Sequence, residues 1–185
     1  LEPKSTYAWY NKGLSLSKLK KPEEALEYLD RAIALDDKII QPWIMKGHVL
    51  TDLQKHEEAI ECYDRVIALD DTNVDVFSDK GSALFNLDEY EEAIKCLDRA
   101  IALDDKNAGV WANKGAALVI SGKDEEAIEC YDRAIALDDT NAGGWALKGL
   151  SLLVLDKPEE AIKCYDRAIA LDDTSAGMFH DKGMA

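Results

Sequence analysis

The amino-acid sequence predicts an all-α solenoid in which helix-turn-helix units stack side by side. Residues 125–141, EEAIECYDRAIALDDTN, recur with one change at residues 57–73 and with more changes at residues 23–39, 91–107 and 159–175. The copies therefore begin every 34 residues, and a fixed period of this length is typical of stacked repeats. Each 34-residue unit contains two apolar patterns of helical spacing, separated by a short polar turn, which predicts two helices per unit.

The period divides the chain into one predicted array over residues 1–185. Its five full repeats are 6–39, 40–73, 74–107, 108–141 and 142–175, with partial repeats 1–5 and 176–185 at the ends. Because both ends fall inside a repeat, we expect a section of a longer array whose end faces stack on neighbouring copies.

Three positions, counted from the first residue of each repeat, predict how the helices pack. The first helix holds Trp or Phe at position 4 and Gly at position 8, and the second holds Ala at position 20. Glycine inside a helix costs about 1 kcal/mol relative to alanine, so its recurrence predicts that two helices approach closely there. The second helix is clearest in repeat 4, where its apolar stripe is Ala127, Ile128, Tyr131, Ala134 and Ile135.

Two adjacent aspartates, at positions 31 and 32, close every full repeat. Acidic residues at a helix C-terminus oppose the helix dipole. We therefore expect them to cap the next helix or to pair with the lysine at position 7. A bound cation is the alternative, although the spacing does not match a calcium-binding loop.

Charge and cysteine content restrict the function and the location. The 22 basic and 37 acidic residues give a net charge of −15, and an acidic surface repels nucleic-acid phosphates. No apolar run is long enough to cross a membrane. The four cysteines recur every 34 residues, too far apart in space for disulfides. This predicts free thiols and a cytoplasmic protein.

We expect no enzymatic activity, no cofactor and no metal site. The three histidines are His48, His56 and His180. None has a serine or cysteine at a repeat position that would bring a nucleophile and a base together. The sequence also contains no glycine-rich phosphate loop.

The pattern W-x3-G-x2-L…A-x3-[LY]-x2-A with a period of 34 residues resembles the tetratricopeptide repeat (TPR) family over essentially the whole chain. The resemblance implies a right-handed superhelix of helix-turn-helix TPR units, whose first helices line a concave groove that holds peptides or helices of partner proteins. Two positions depart from the family pattern. Position 7 is Lys where the family often has Leu, and position 32 is Asp where it often has Pro.

The resemblance also places the candidate groove residues on the first helices, and these become increasingly apolar toward the C-terminus. They are Tyr10, Asn11, Leu14, Ile44, Met45, His48, Phe85, Ala112, Asn113, Ala116, Val119, Ile120, Ala146, Leu147, Leu150, Leu153 and Val154. We expect a protein or peptide partner that is apolar or amphipathic, with basic flanks that suit the acidic chain. The basic clamp by which some family members hold C-terminal carboxylates is missing from the corresponding positions.

Three alternatives stay open at this point. Some candidate groove residues could instead pack between repeats. The protein could be a self-assembling structural module that stacks end to end. More remotely, it could be a regulatory domain of a larger enzyme.

Overall fold

The computed structural model describes residues 5–180, and it describes side chains as far as residue 171. Within these residues it contains ten α-helices and no strand. The helices are α1 Thr6–Lys18, α2 Pro22–Leu35, α3 Ile40–Asp52, α4 His56–Leu69, α5 Val74–Asn86, α6 Tyr90–Leu103, α7 Ala108–Ile120, α8 Asp124–Leu137, α9 Ala142–Val154 and α10 Pro158–His180. The predicted all-α fold with two helices per repeat is confirmed.

The helices belong to two compact units, Leu1–Cys96 and Leu97–Ala185, and the division lies inside α6. In the first unit α1 packs on α2 and α3 on α4, and α2 and α4 contact the helices that follow them. In the second unit α7 packs on α8 and α9 on α10, and α8 contacts α9. Repeats 1 and 2 in the first unit and repeats 4 and 5 in the second thus fold as stacked helical hairpins.

In repeats 1, 2, 4 and 5 the glycine at position 8 lies against the side chain at position 24 of the same hairpin. A Cβ atom added at Gly47 would lie 2.5 Å from Cε1 of Tyr63, and one added at Gly115 would lie 2.6 Å from Cε1 of Tyr131. Both tyrosine rings are fully buried, so neither can move away cheaply. The close approach predicted from the recurring glycine is confirmed.

The turn inside each hairpin contains one residue in the left-handed region, always at position 15. These residues are Lys20, Gln54, Asp88, Gly122 and Asp156, with φ between 57° and 73°. The residue that follows donates its backbone N–H to a carbonyl five positions earlier, as Lys21 does to Leu16 at 3.0 Å. This bond satisfies a carbonyl at the end of the first helix and fixes the entry to the second.

The aspartate pairs between repeats cap the turn. In the second repeat Asp70 Oδ1 accepts the backbone N–H of Thr72 at 3.0 Å, and Asn73 accepts the N–H of Val76 at 3.1 Å to cap α5. In the turn between repeats 1 and 2 the indole at position 4 makes a further hydrogen bond, since Trp43 Nε1 donates to the Asp37 carbonyl at 3.0 Å. The aspartates therefore bond within the turn, and an asparagine, not an aspartate as expected, caps the helix that follows.

The lysine at position 7 pairs with an aspartate on the second helix of the preceding repeat, not with the aspartate pair. Lys46 Nζ lies 2.6 Å from Asp30 and Lys114 Nζ lies 2.5 Å from Asp98. The remaining pairs of this lysine ladder are Lys80 with Asp64 and Lys148 with Asp132. The predicted pairing with the turn aspartates is wrong, because the register of neighbouring hairpins brings position 25 nearer to the lysine.

The C-terminal helix differs from the predicted pattern. A turn was expected at Asp172 and Asp173, with a sixth repeat beginning at residue 176, but α10 continues without a break to His180. Each of the other four inter-repeat turns has an asparagine cap, an indole bond or both. The fifth has Ser175 and Phe179 at those positions. Residues 181–185 of the predicted sixth repeat lie outside the described residues.

The close approach at position 8 can be tested with two substitutions in one unit. Gly115→Ala places a methyl group against the buried Tyr131 ring, and overpacking should lower the unfolding free energy by about 1–2 kcal/mol after the gain in helix propensity. In Gly144→Ala the new methyl group meets Ile135 Cγ1 at 3.7 Å, an ordinary contact. This control should retain or gain stability in urea unfolding followed by circular dichroism. Equal effects of the two substitutions would contradict the packing argument.

Candidate functional site

All seventeen candidate groove residues lie on the first helices of the repeats. Those on α1, α3 and α5 belong to the first unit, and those on α7 and α9 belong to the second. The two groups differ in exposure and in chemistry.

In the first unit several apolar candidates pack between helices. Tyr10 and Met45 are half-buried and pack against the core cluster that contains Leu29, while Ile44 packs against the cluster that contains Tyr63. Two further candidates, Leu14 and Phe85, are also half-buried, and the exposed members are Asn11 and His48. For Tyr10, Met45 and Ile44 much of the side chain therefore contributes to packing between helices.

The exposed polar part of this unit centres on His48. Its Nε2 donates to Asp79 Oδ2 at 2.7 Å, a bond that joins repeats 2 and 3. That hydrogen bond, with the negative charge of Asp79, Asp52 and Asp75, raises the pKa of His48. The ring of Tyr63 lies 6.2 Å away, centre to centre. This part of the unit is an acidic surface around one imidazole.

The candidate set omitted Asp79, the partner of His48. Asp79 follows His48 by 31 residues, so position 6 of one repeat meets position 9 of the repeat before it. A search for complementary side chains at this spacing would have found the pair.

In the second unit the candidates form an apolar surface. Large exposed members lie on α7 and α9, with exposed fractions of 52% for Ile120, 39% for Leu147, 47% for Leu150 and Leu153, and 62% for Val154. The half-buried members are Ala112, Ala116, Val119 and Ala146, and Asn113 is exposed.

Comparison between repeats separates two kinds of exposure in this unit. The side chain at position 13 is exposed both in repeat 4, as Ile120, and in repeat 5, as Val154. Its exposure therefore does not depend on whether another repeat follows. Position 12 is half-buried as Val119 but exposed as Leu153, so its exposure depends on the next repeat. We define the apolar groove surface as Ile120, Leu147, Leu150 and Val154. Within it, position 9 is half-buried as Ala116 and exposed as Leu150, so the exposure of Leu150 also depends on the next repeat.

The buried thiols do not supply a reactive nucleophile. Burial raises the pKa of both Cys62 and Cys130 to about 11, so both are protonated near neutral pH. All four cysteines are free. Among the side chains described, those of residues 5–171, no cluster of three or more His, Cys, Asp or Glu is arranged to hold a metal ion.

In the described part of the chain no helix is both long and apolar enough to cross a bilayer.

The raised pKa of His48 predicts a pH-dependent contribution to stability. A raised folded-state pKa means that protonated His48 stabilises the fold below its ordinary pKa of 6.5, and that this contribution is lost as pH rises through the raised value. His48→Gln should therefore lower stability more at about pH 5.5 than at about pH 8.5, by only a few tenths of a kcal/mol because the pair is partly exposed.

Urea unfolding at both pH values measures this difference. Asp79→Asn is the matched control, since it removes the carboxylate that holds the imidazolium and should reproduce the same pH dependence. An equal loss in His48→Gln at both pH values would contradict the assignment.

Family models of the tetratricopeptide repeat match the chain at residues 6–38, 78–142 and 142–175, and a TPR repeat model matches residues 47–88. Among curated protein sequences none matches this chain.

Several solved structures share the fold. A crystal structure of MamA is 24% identical, with a TM-score of 0.86 over 89% of this chain and 96% of that one. YrrB, described as a TPR protein with an unusual peptide-binding site, is 22% identical, with a TM-score of 0.80 over 99% of this chain and 94% of its own. MamA 41-end from Desulfovibrio magneticus RS-1 is 21% identical, with a TM-score of 0.87 over 91% and 96% of the two chains.

At these identities the structural likeness shows the fold, a solenoid of helical hairpins. The four family matches together span residues 6–175, so the chain belongs to the tetratricopeptide repeat family.

Proposed function

We propose that the protein is a non-catalytic interaction scaffold that binds an amphipathic helical segment of a partner protein on the apolar groove surface. The observation that supports this most is the exposure of Ile120, Leu147, Leu150 and Val154 on two neighbouring first helices. Contiguous exposed apolar side chains on a folded protein mark interaction sites. A solved relative in fold, YrrB, is described as having a peptide-binding site.

The spacing of these side chains favours a helical partner. Leu147, Leu150 and Val154 follow one another at intervals of three and four residues on α9, and they lie along one side of that helix. α7, which carries Ile120, contacts α9. A partner helix with one apolar face could lie against both helices, which is the helix-in-groove mode of recognition.

The size of the surface predicts modest affinity. Burying roughly 300 Å² of apolar area gives about 7–8 kcal/mol at ~25 cal/mol per Å², and the loss of rigid-body and side-chain freedom removes a large part of that. We therefore expect dissociation constants in the micromolar range or weaker. Affinity above this level would need polar contacts as well.

Charge supplies the second element of specificity. The chain carries a net charge of −15, and in the second unit Lys114 and Lys148 already pair with aspartates of the lysine ladder. A partner segment with lysine or arginine at its ends would be attracted to such a surface, and an acidic one would be repelled. Added salt should weaken this attraction.

A designed peptide tests the proposal directly. We expect a fluorescently labelled helical peptide, with leucines along one face and lysines at both ends, to bind in anisotropy titrations. Ile120→Glu and Val154→Glu should each weaken binding about tenfold, since each removes roughly 1.5 kcal/mol of apolar contact. Both side chains are exposed, so the fold should be retained.

Leu137→Glu is the matched control. Leu137 is 40% exposed but lies at the end of α8, a second helix, so this variant should bind like the parent protein. A peptide of the same composition in scrambled order should not bind. If Leu137→Glu weakened binding as much as Val154→Glu, or if the scrambled peptide bound equally well, the groove surface would not be the binding site.

A further inference from the structure

Three oxygen atoms on α8 and α9 are buried without a hydrogen-bonding partner among the described residues. They are Asp124 Oδ1, the Tyr131 hydroxyl and Ser151 Oγ, and the fourth described side-chain atom of this kind, His56 Nδ1, lies in the first unit. Ser151 and the Tyr131 ring are fully buried, and Asp124 is 6% exposed. Nearly all buried polar groups in folded proteins have a partner, so three such atoms on neighbouring helices require an explanation.

Asp124 and Tyr131 lie within electrostatic reach of each other. Tyr131 follows Asp124 by about two turns of α8, and a long side chain on a helix leans toward the N-terminus. This lean carries the hydroxyl toward the carboxylate. Burial, with the nearby Cys130 and the negative charge of Asp124, raises the pKa of Tyr131 to about 12. The hydroxyl therefore keeps its proton at neutral pH and can donate it to an acceptor.

The packing of α9 on α8 brings Ser151 to the same place. The two helices run antiparallel, because a Cβ atom added at Gly144 would meet Ile135 Cγ1 at 3.7 Å and Lys148 pairs with Asp132. Continued along both helices, this register places Ser151 about one turn nearer the start of α8 than Asp132. The tyrosine hydroxyl points toward that level of the helix.

The first unit has the same neighbours at the same repeat positions. There, position 10 of one repeat shares a core cluster with position 24 of the repeat before it, as Val49 does with Leu29 and Ala83 does with Tyr63. Ser151 and Tyr131 occupy these two positions in repeats 5 and 4. The register of the hairpins therefore places their hydroxyl groups side by side.

Comparison with repeat 2 explains why the tyrosine of repeat 4 lacks a partner. In repeat 2 the hydroxyl of Tyr63 lies 3.1 Å from Thr51 Oγ1. The residue of repeat 4 that corresponds to Thr51 is Val119, which has no hydroxyl. At position 17, Asp124 replaces the larger His56 and leaves more space at the start of the second helix.

We infer that a buried water molecule binds between α8 and α9, where it bonds to Asp124 Oδ1, the Tyr131 hydroxyl and Ser151 Oγ. The water donates one hydrogen to the carboxylate and one to the serine oxygen, and it accepts the hydrogen of the tyrosine. Buried waters typically make about three hydrogen bonds to polar groups that otherwise have no partner. The site joins repeat 4 to repeat 5, uses no residue of the apolar groove surface and goes beyond the proposed function.

Two other arrangements fit the three oxygens less well. A direct bond between Asp124 and Tyr131 would leave Ser151 Oγ buried without a partner, at a cost in stability. Calcium takes six to eight oxygen ligands, whereas this site offers two protonated hydroxyls and one carboxylate. A water molecule satisfies all three atoms at once.

A crystal structure of the whole chain, at a resolution that shows ordered water, tests the inference. We expect one water at hydrogen-bonding distance, about 2.7–3.2 Å, from each of the three oxygens. The same site should be found in every independent copy of the chain, because its partners belong to two packed helices.

Urea unfolding of Ser151→Ala and Tyr131→Phe provides a second measurement. Each variant should raise the unfolding equilibrium constant about fivefold, since each takes one partner from the water. The double variant should cost less than the two single effects multiplied together, because both hydroxyls bond to one water. Tyr165→Phe is the matched control. Tyr165 occupies position 24 of repeat 5 and is half-buried, so this change should alter the constant less than about twofold.

Either measurement can overturn the inference. In the crystal structure, a site without water, an ion in its place or a direct bond between Asp124 and Tyr131 would do so. In urea, a Ser151→Ala variant as stable as the parent chain or more stable would do so, because this is the result for a hydroxyl that is buried without a partner.

Discussion

The contact between the glycine at position 8 and the side chain at position 24 is the constraint on which each hairpin depends. With Gly47 and Gly115, the first helix approaches to the point where a single methyl group would overlap a buried tyrosine ring. The alanine at position 20 is fully buried in all five repeats for the same reason. Because the glycine lies on the side of the first helix that packs on the second helix, the other side of each first helix is free to vary, and the candidate binding residues lie there.

Polar contacts then fix how one hairpin follows the next. The lysine ladder and the aspartate turns join consecutive hairpins in each unit, and the ladder accounts for Lys at position 7. The aspartate at position 32 pairs with an arginine of the next repeat, as Asp37 does with Arg65 at 2.6 Å. The ladder aspartates are half-exposed, so each pair contributes little free energy. Their regular geometry favours one register between hairpins over others.

Much of the fold could be predicted from the sequence, because period, apolar spacing and the recurring glycine all depend on local chemistry. The ladder could not, since the turn aspartates and Asp30 are equally acidic in the sequence and only the packing of two repeats shows which one Lys46 reaches. The sequence also could not predict which candidate groove residues are packed in the core and which are exposed. Ile44 and Val154 are both apolar residues of a first helix, yet one packs against the core and the other is 62% exposed. Exposure of this kind depends on the neighbouring hairpin.

We propose that the recurring packing of the second helices provides stability, while the exposed first-helix side chains of the second unit bind the partner. A methyl NMR titration of the protein with the lysine-flanked leucine peptide tests it most directly. We expect chemical-shift changes at the methyl groups of Ile120, Leu147 and Val154, with little change at Ile128 and Ile135 of α8. Changes centred on Ile128 and Ile135, with Ile120 and Val154 unaffected, would contradict it.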